Sequence, residues 1–290
     1  NIAVYELTAG EVKAIFNRTT GWLESYQSKG VEMLKKGYVL RPNFWRGPTD
    51  NDFGASLQVK NAVWRNPEMV LEQLTFTPAE GENTLPTVKA LYNMPEVSAK
   101  LEMTYRMNND GALQVTQQLK ADASRKDVPD MFRFGMQLVM PEQFDRIDYY
   151  GRGPEENYAD RNHSTFMGRY RQMVSDQFYP YVRPQETGSK SDVRWWKVVD
   201  VDGRGLAFSA EQPFFATALH YLTSDLDDGD KKHQRHSGEL HERDLTCVSI
   251  DGRQMGLGCV DSWGSLPLPE YCLPYGDYTF TVVITPIEKK

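Results

Sequence analysis

Apolar residues return at every second position through much of the chain, and Gly, Asn or Asp interrupt them roughly every 8–12 residues, the rhythm of an antiparallel sandwich. The clearest case runs Leu101, Met103, Tyr105, Met107, then Asn108–Asn109–Asp110–Gly111, then Leu113, Val115, Gln117, Leu119. One face alternates apolar, and the turn holds residues that tolerate positive φ. The same logic predicts a hairpin of Val12–Phe16 and Trp22–Tyr26 around 17–21, and another turning at Asp202–Gly203 between Val198–Val201 and Leu206–Phe208. A third turn is expected at Asp251–Gly252, after Leu245–Ile250. Tyr278–Ile284 closes the chain as an unbroken β-branched and aromatic strand.

Helical periodicity is scarce; the helix-tolerant stretch is Ala55–Trp64. Segments 41–54, 150–195 and 224–244 read as long irregular connections, which in a compact domain usually carry function or an interface. No repeat, low-complexity run or linker divides residues 1–290, so the expectation is one all-β domain.

Charge narrows the partners. A net charge of −7 supplies no basic field for nucleic acid or for an anionic membrane, and no apolar run approaches the roughly 20 residues of a spanning helix. Cys247, Cys259 and Cys272 are odd in number and lack a CxxC spacing, so they read as buried apolar residues. The chain begins at Asn1 without a signal-peptide pattern and reads as a piece of a longer protein, its compartment open between cytoplasm and periplasm. Aromatics make up 12% of residues and crowd Gly/Pro-rich stretches, where they serve either as platforms for sugar rings or as plugs for sandwich ends.

Five segments hold candidate chemistry. In Arg41–Gly54, Asp50, Asn51 and Asp52 suit sugar hydroxyls; they suit equally an Asx-rich turn paired with Arg46. In Tyr149–Arg161, adjacent Glu155 and Glu156 point opposite ways if extended, so they form no acid–base couple, and an ion-pair network with Arg152 and Arg161 explains them as well. In Gln177–Gly188, Glu186 is either a general base or a partner for Arg183 or Arg194. His233, His236 and His241 have loose metal-like spacing, but the adjoining Asp227–Lys232 run reads as solvated loop, so no metal site is expected. Around Gly256–Gly264, Trp263 has little regular structure to pack into; it either caps the core or stacks on a pyranose, with Asp261 or Ser262 on a hydroxyl.

Taken in order, Arg46-x-Pro48-x-Asp50-Asn51-Asp52-x-Gly54, Gly151-x-Gly153-Pro154-x-Glu156-Asn157-Tyr158-x-Asp160-Arg161, Tyr181-Val182-x-Pro184-x-Glu186-x-Gly188, His233-x-x-His236 and Asp261-Ser262-Trp263 resemble the C-terminal, small-chain domain of the large bacterial β-galactosidases, glycoside hydrolase family 2. Where that family tends to have Gly-Asp-Asp-Ser-Trp, this chain has Cys259-Val260-Asp261-Ser262-Trp263. The resemblance implies a large antiparallel supersandwich of the galactose-mutarotase-like type that lends loops to a β-galactoside pocket. It implies a sugar-binding wall at Trp263, a mobile loop from Gly54 through Ser56, and substrate contacts from Asp52 and Asp261. It places both catalytic glutamates, and the Mg²⁺ of the full-length enzyme, in a TIM barrel from the rest of the chain, so no catalytic residue, metal or cofactor is expected here. A homo-oligomer is implied for the full-length enzyme. The alternatives are a free-standing aldose 1-epimerase using Glu186 with His163 or His236, and an autonomous lectin-like or assembly module.

Overall fold

A computed structural model describes residues 4–81, 84–258 and 260–289. Strands β1 (Val4–Ala9), β2 (Val12–Asn17), β3 (Leu23–Ser28) and β4 (Val31–Glu32) form a four-stranded meander. The chain continues through β5 (Arg41–Asn43), the short helices α1 (Asp50–Gly54) and α2 (Leu57–Lys60), β6 (Val70–Thr77), β7 (Thr87–Met94), β8 (Ala99–Met107), β9 (Leu113–Ala121) and β10 (Arg133–Pro141). It ends with β11 (Arg146–Gly153), β12 (Phe166–Met173), β13 (Lys190–Val199), β14 (Gly205–Leu219), β15 (Leu245–Gln254) and β16 (Tyr278–Ile287). Strands β5 to β16 make one twelve-stranded antiparallel sheet, so the all-β antiparallel architecture is the observed one.

The long strand β14 shapes that sheet. Its first half, Gly205–Ser209, pairs with β16, and its last, Phe215–Leu219, pairs with β15. The sheet therefore divides along β14: one arm continues through β16, β9, β8, β7 and β6, the other through β15, β10 and β5. The meander packs onto the first arm. Phe16 meets Tyr105 edge-on at 4.7 Å, Trp22 stacks on Tyr92 at 4.3 Å, and the Tyr26 hydroxyl donates to the carbonyls of Gly111 and Ile284. One buried apolar cluster runs across both sheets.

The hairpins expected at 12–26, 101–119 and 198–208 form where the alternation placed them. Asp251–Gly252 is not a turn. β15 continues through it with a bulge at Gly252, where the register with β10 shifts, and a Cβ there would lie 2.7 Å from the Phe280 ring. The segment 150–195 is less irregular than expected, since it contains the edge strand β12 and the start of β13. The helical turns also begin earlier than Ala55, at Asp50, because Thr49 and Asp52 close a capping box. Cys247 is buried and Cys272 half-buried, while Cys259 lies outside the described residues.

Gln117 faces the core on β9 with 0% exposure, and among the described residues neither of its amide atoms has a hydrogen-bond partner. Burying such a group costs about 1–3 kcal/mol. Gln117→Met is therefore expected to stabilise the fold by roughly that amount in urea denaturation; a loss of stability would mean the amide is satisfied by something other than the protein.

Candidate active-site rim

The segment that sequence chemistry singled out at 41–54 is organised by one buried guanidinium. Arg46, 2% exposed, donates from Nε and Nη2 to the two carboxylate oxygens of Asp52 at 3.0 and 2.8 Å. It also donates to the carbonyls of Met255 (2.9 Å) and Gly256 (3.1 Å), and so ties α1 to the segment leading towards Trp263. Burial opposes its charge, but Asp52 and Glu186 together outweigh that and hold the Arg46 pKa above its ordinary value. Asp52 also accepts from the Thr49 backbone N–H at 2.8 Å. Its carboxylate, 2% exposed, thus pairs with Arg46 and positions α1, the second of the two roles its chemistry allowed.

Gly54 ends α1 with an ordinary helical backbone, so no left-handed conformation explains it. Close approach does. A Cβ on Gly54 would stand 2.8 Å from the Gly264 Cα and 3.0 Å from Cε2 of Trp263. A Cβ on Gly264, which has φ +81°, would stand 2.8 Å from the Gly54 carbonyl carbon. Two glycines back to back therefore seat the indole against the helix end, and only residues without side chains fit there. Trp263 is 64% exposed, so it belongs to the surface rather than the core.

Other side chains complete this rim. Lys232 Nζ lies 5.2 Å from the Trp263 ring centre and 5.4 Å from that of Phe53, and it donates to Asp50 at 2.9 Å. Arg183 approaches Phe53 and Asp50 from another side. Burial would raise the Asp50 carboxyl, but Lys232, Gln185 and Arg183 together hold it below the usual range. Ser56 is exposed with φ 61°, where α1 breaks into α2. Asp261 is exposed and accepts from the Ser265 hydroxyl. The rim thus brings together Gly54 and Trp263, with Ser56 two residues beyond the helix end and Asp261 two before the indole.

Sequence reasoning missed Lys232, because Asp227–Lys232 read as solvated loop. The acids of that run are anchors: Asp227 accepts from Trp45 Nε1 and Arg65, and Asp228, 7% exposed, accepts from Arg183 and Arg235. It also missed the partner of Glu186, which is neither Arg183 nor Arg194 but Arg133, at 2.7 Å. Glu156 does pair with Arg161, together with Tyr181 and the Gly188 N–H, whereas Arg152 pairs with Asp192. His163 and His236 are exposed, and neither hydrogen-bonds Glu186 among the described residues. Among those residues no three His, Cys, Asp or Glu side chains group as a metal site.

Two measurements test this framework. Removing one partner of a buried ion pair strands the other, so Asp52→Ala should cost about 3–5 kcal/mol of unfolding free energy; a cost below about 1 kcal/mol, typical of a surface pair, would contradict the clamp. Beneath it, burial raises the Asp251 carboxyl to about 6, against Arg133 and Gln254, which lower it. Its folded value lies above its unfolded one, so the stability it contributes is complete below about pH 4 and is lost as pH rises through about 6. Relative to the parent chain, Asp251→Asn should gain about 3 kcal/mol between pH 4 and 7; a difference that does not change with pH would contradict it.

Comparison with known proteins follows the same outline. The family model described as β-galactosidase small chain matches residues 8–284. The β-galactosidase of Priestia megaterium is 33% identical over 281 residues, covering 96% of this chain and 26% of the relative. That of Streptococcus thermophilus is 31% identical over 276 residues, covering 94% and 26%. The chain thus spans about a quarter of the length of the curated relatives it matches. Among solved structures, a galactose mutarotase related enzyme from Lactobacillus acidophilus superposes with a TM-score of 0.52 at 10% identity, covering 99% of this chain and 98% of the other. A galactose mutarotase-like protein from Lactobacillus casei gives 0.50 at 10% identity, covering 98% and 100%. These likenesses show a galactose-mutarotase-like fold and nothing more. With a match running across nearly its whole length, the chain belongs to the β-galactosidase small-chain family.

Proposed function

We propose that this chain is the C-terminal, non-catalytic part of a larger β-galactosidase and that it lends the Trp263–Gly54 rim to a pocket for terminal β-D-galactosides. The single observation that carries the reading is the largely exposed indole of Trp263, held against α1 by the contact between Gly54 and Gly264. An exposed aromatic plane fixed on a backbone seam suits the apolar face of a pyranose. Asp261 and Ser56, both exposed near this seam, are the further contacts we assign to substrate.

Three carboxylates near the rim are already paired with cations: Asp52 with Arg46, Glu186 through one oxygen with Arg133, and Asp50 with Lys232. This supports placing the nucleophile and the general acid/base of a retaining glycosidase, about 5 Å apart, in the polypeptide beyond this chain, in a TIM barrel. We place the Mg²⁺ ligands there too, and no step is assigned to the ion here. Assembly into a homo-oligomer is part of the same proposal for the full-length enzyme.

In the longer protein that carries this chain, Trp263→Ala should raise KM for a chromogenic galactoside by about tenfold or more, the equivalent of losing one stacked sugar face. Trp263→Phe should recover part of that loss. Unchanged kinetics in Trp263→Ala, or robust galactoside hydrolysis by the isolated 290-residue chain, would overturn the proposal.

A further inference from the structure

A cleft of about 550 Å³ opens at the N-terminal end of α1, where Asp50 and Asn51 line it; Trp263, at the other end of the helix, does not. The five-residue α1 is only about 7.5 Å long, so the two places are neighbours but separate. The cleft volume lies within the range of small-molecule sites.

Its chemistry is two-sided. Glu186 lines it and is 7% exposed. Arg133 holds its Oε1, while Oε2 accepts no hydrogen bond among the described residues. That second oxygen is therefore open to accept from a donor held in the cleft. Beside it, the Tyr181 hydroxyl and Arg161 guanidinium are fixed by Glu156, with Arg161 still half exposed. On the other wall stand Leu257, Leu268 and Tyr271. Asp160 holds that wall in place by accepting from the backbone N–H groups of Leu257 and Gly258, both at 2.9 Å.

The acceptor oxygen of Glu186 disfavours an anionic ligand, and Arg161 is already paired with Glu156, so no surplus positive charge awaits a phosphate or carboxylate. A polar floor with an unanswered acceptor, opposite an apolar and aromatic wall, matches a neutral polyhydroxylated ring. We propose that this cleft is a second saccharide site. A ring hydroxyl of a neutral pyranose donates to Glu186 Oε2, other hydroxyls meet Tyr181 and Arg161, and the C–H face lies on Tyr271 and Leu268.

The test is a titration of the longer protein that carries this chain with methyl pyranosides, following the methyl resonances of Leu257 and Leu268. Saturable shifts are expected with a Kd of about millimolar order. Tyr271→Ala and Glu186→Gln should each weaken binding about tenfold, and Trp263→Ala should leave it unchanged. Glu186→Gln touches a buried pair, so Tyr271→Ala decides the matter if that variant does not fold. No saturable shift up to about 100 mM, or shifts abolished by Trp263→Ala and indifferent to Tyr271→Ala, would overturn the proposal. Because Trp263 is the control here and the probe in galactoside hydrolysis, the two readings fail separately.

Discussion

The four hydrogen bonds of Arg46 are the constraint from which the rim follows. Two reach Asp52 in the adjoining helix, and two reach carbonyls more than 200 residues further along the chain. A guanidinium can do this because it presents several donors in one rigid plane, and burial leaves it no alternative in water. With α1 fixed against the Met255–Gly256 segment, the following loop can return Gly264 onto Gly54, and the indole of Trp263 is carried with it.

The sheet brings these distant segments together. β14 sends one arm of the large sheet towards β16 and the other through β15 and β10 to β5. β5 delivers Arg41–Asn43 just ahead of Arg46, and β15 delivers Gln254 just ahead of Met255. Both connections leave strands flanking β10, so they emerge side by side. Rigid strands thus position a surface made almost wholly of loops and short helical turns, the usual division between scaffold and site.

Where a strand buries one face, its position could be read from the chain. Leu101 to Leu119 alternate cleanly because β8 and β9 face the core on one side. β12 escaped because it is an edge strand with little burial on either face, so its side chains carry no alternation to read. Asp251–Gly252 misled because Gly there sits at a bulge against the Phe280 ring rather than in a turn, and nothing local in the sequence distinguishes the two. In the site, Trp263 stood out as an indole without a strand, whereas Gly54 entered as the loop start implied by the family resemblance. Arg133 and Lys232 did not stand out. Their partners Glu186 and Asp50 lie 53 and 182 residues away, and such pairings are created by topology rather than by neighbouring chemistry. Asp52 stayed two-sided in the sequence, because the same carboxylate suits a sugar hydroxyl or a guanidinium, and only the fold shows its pairing with buried Arg46.

The most direct check of the glycine seam is a double-mutant cycle on unfolding free energy with Gly54→Ala, Gly264→Ala and both together. If the two backbones share one contact, the first alanine opens it and the second costs less, giving a coupling of at least about 1 kcal/mol. Additive costs, within about 0.3–0.5 kcal/mol, would mean the glycines do not meet and that something else holds Trp263 at the rim.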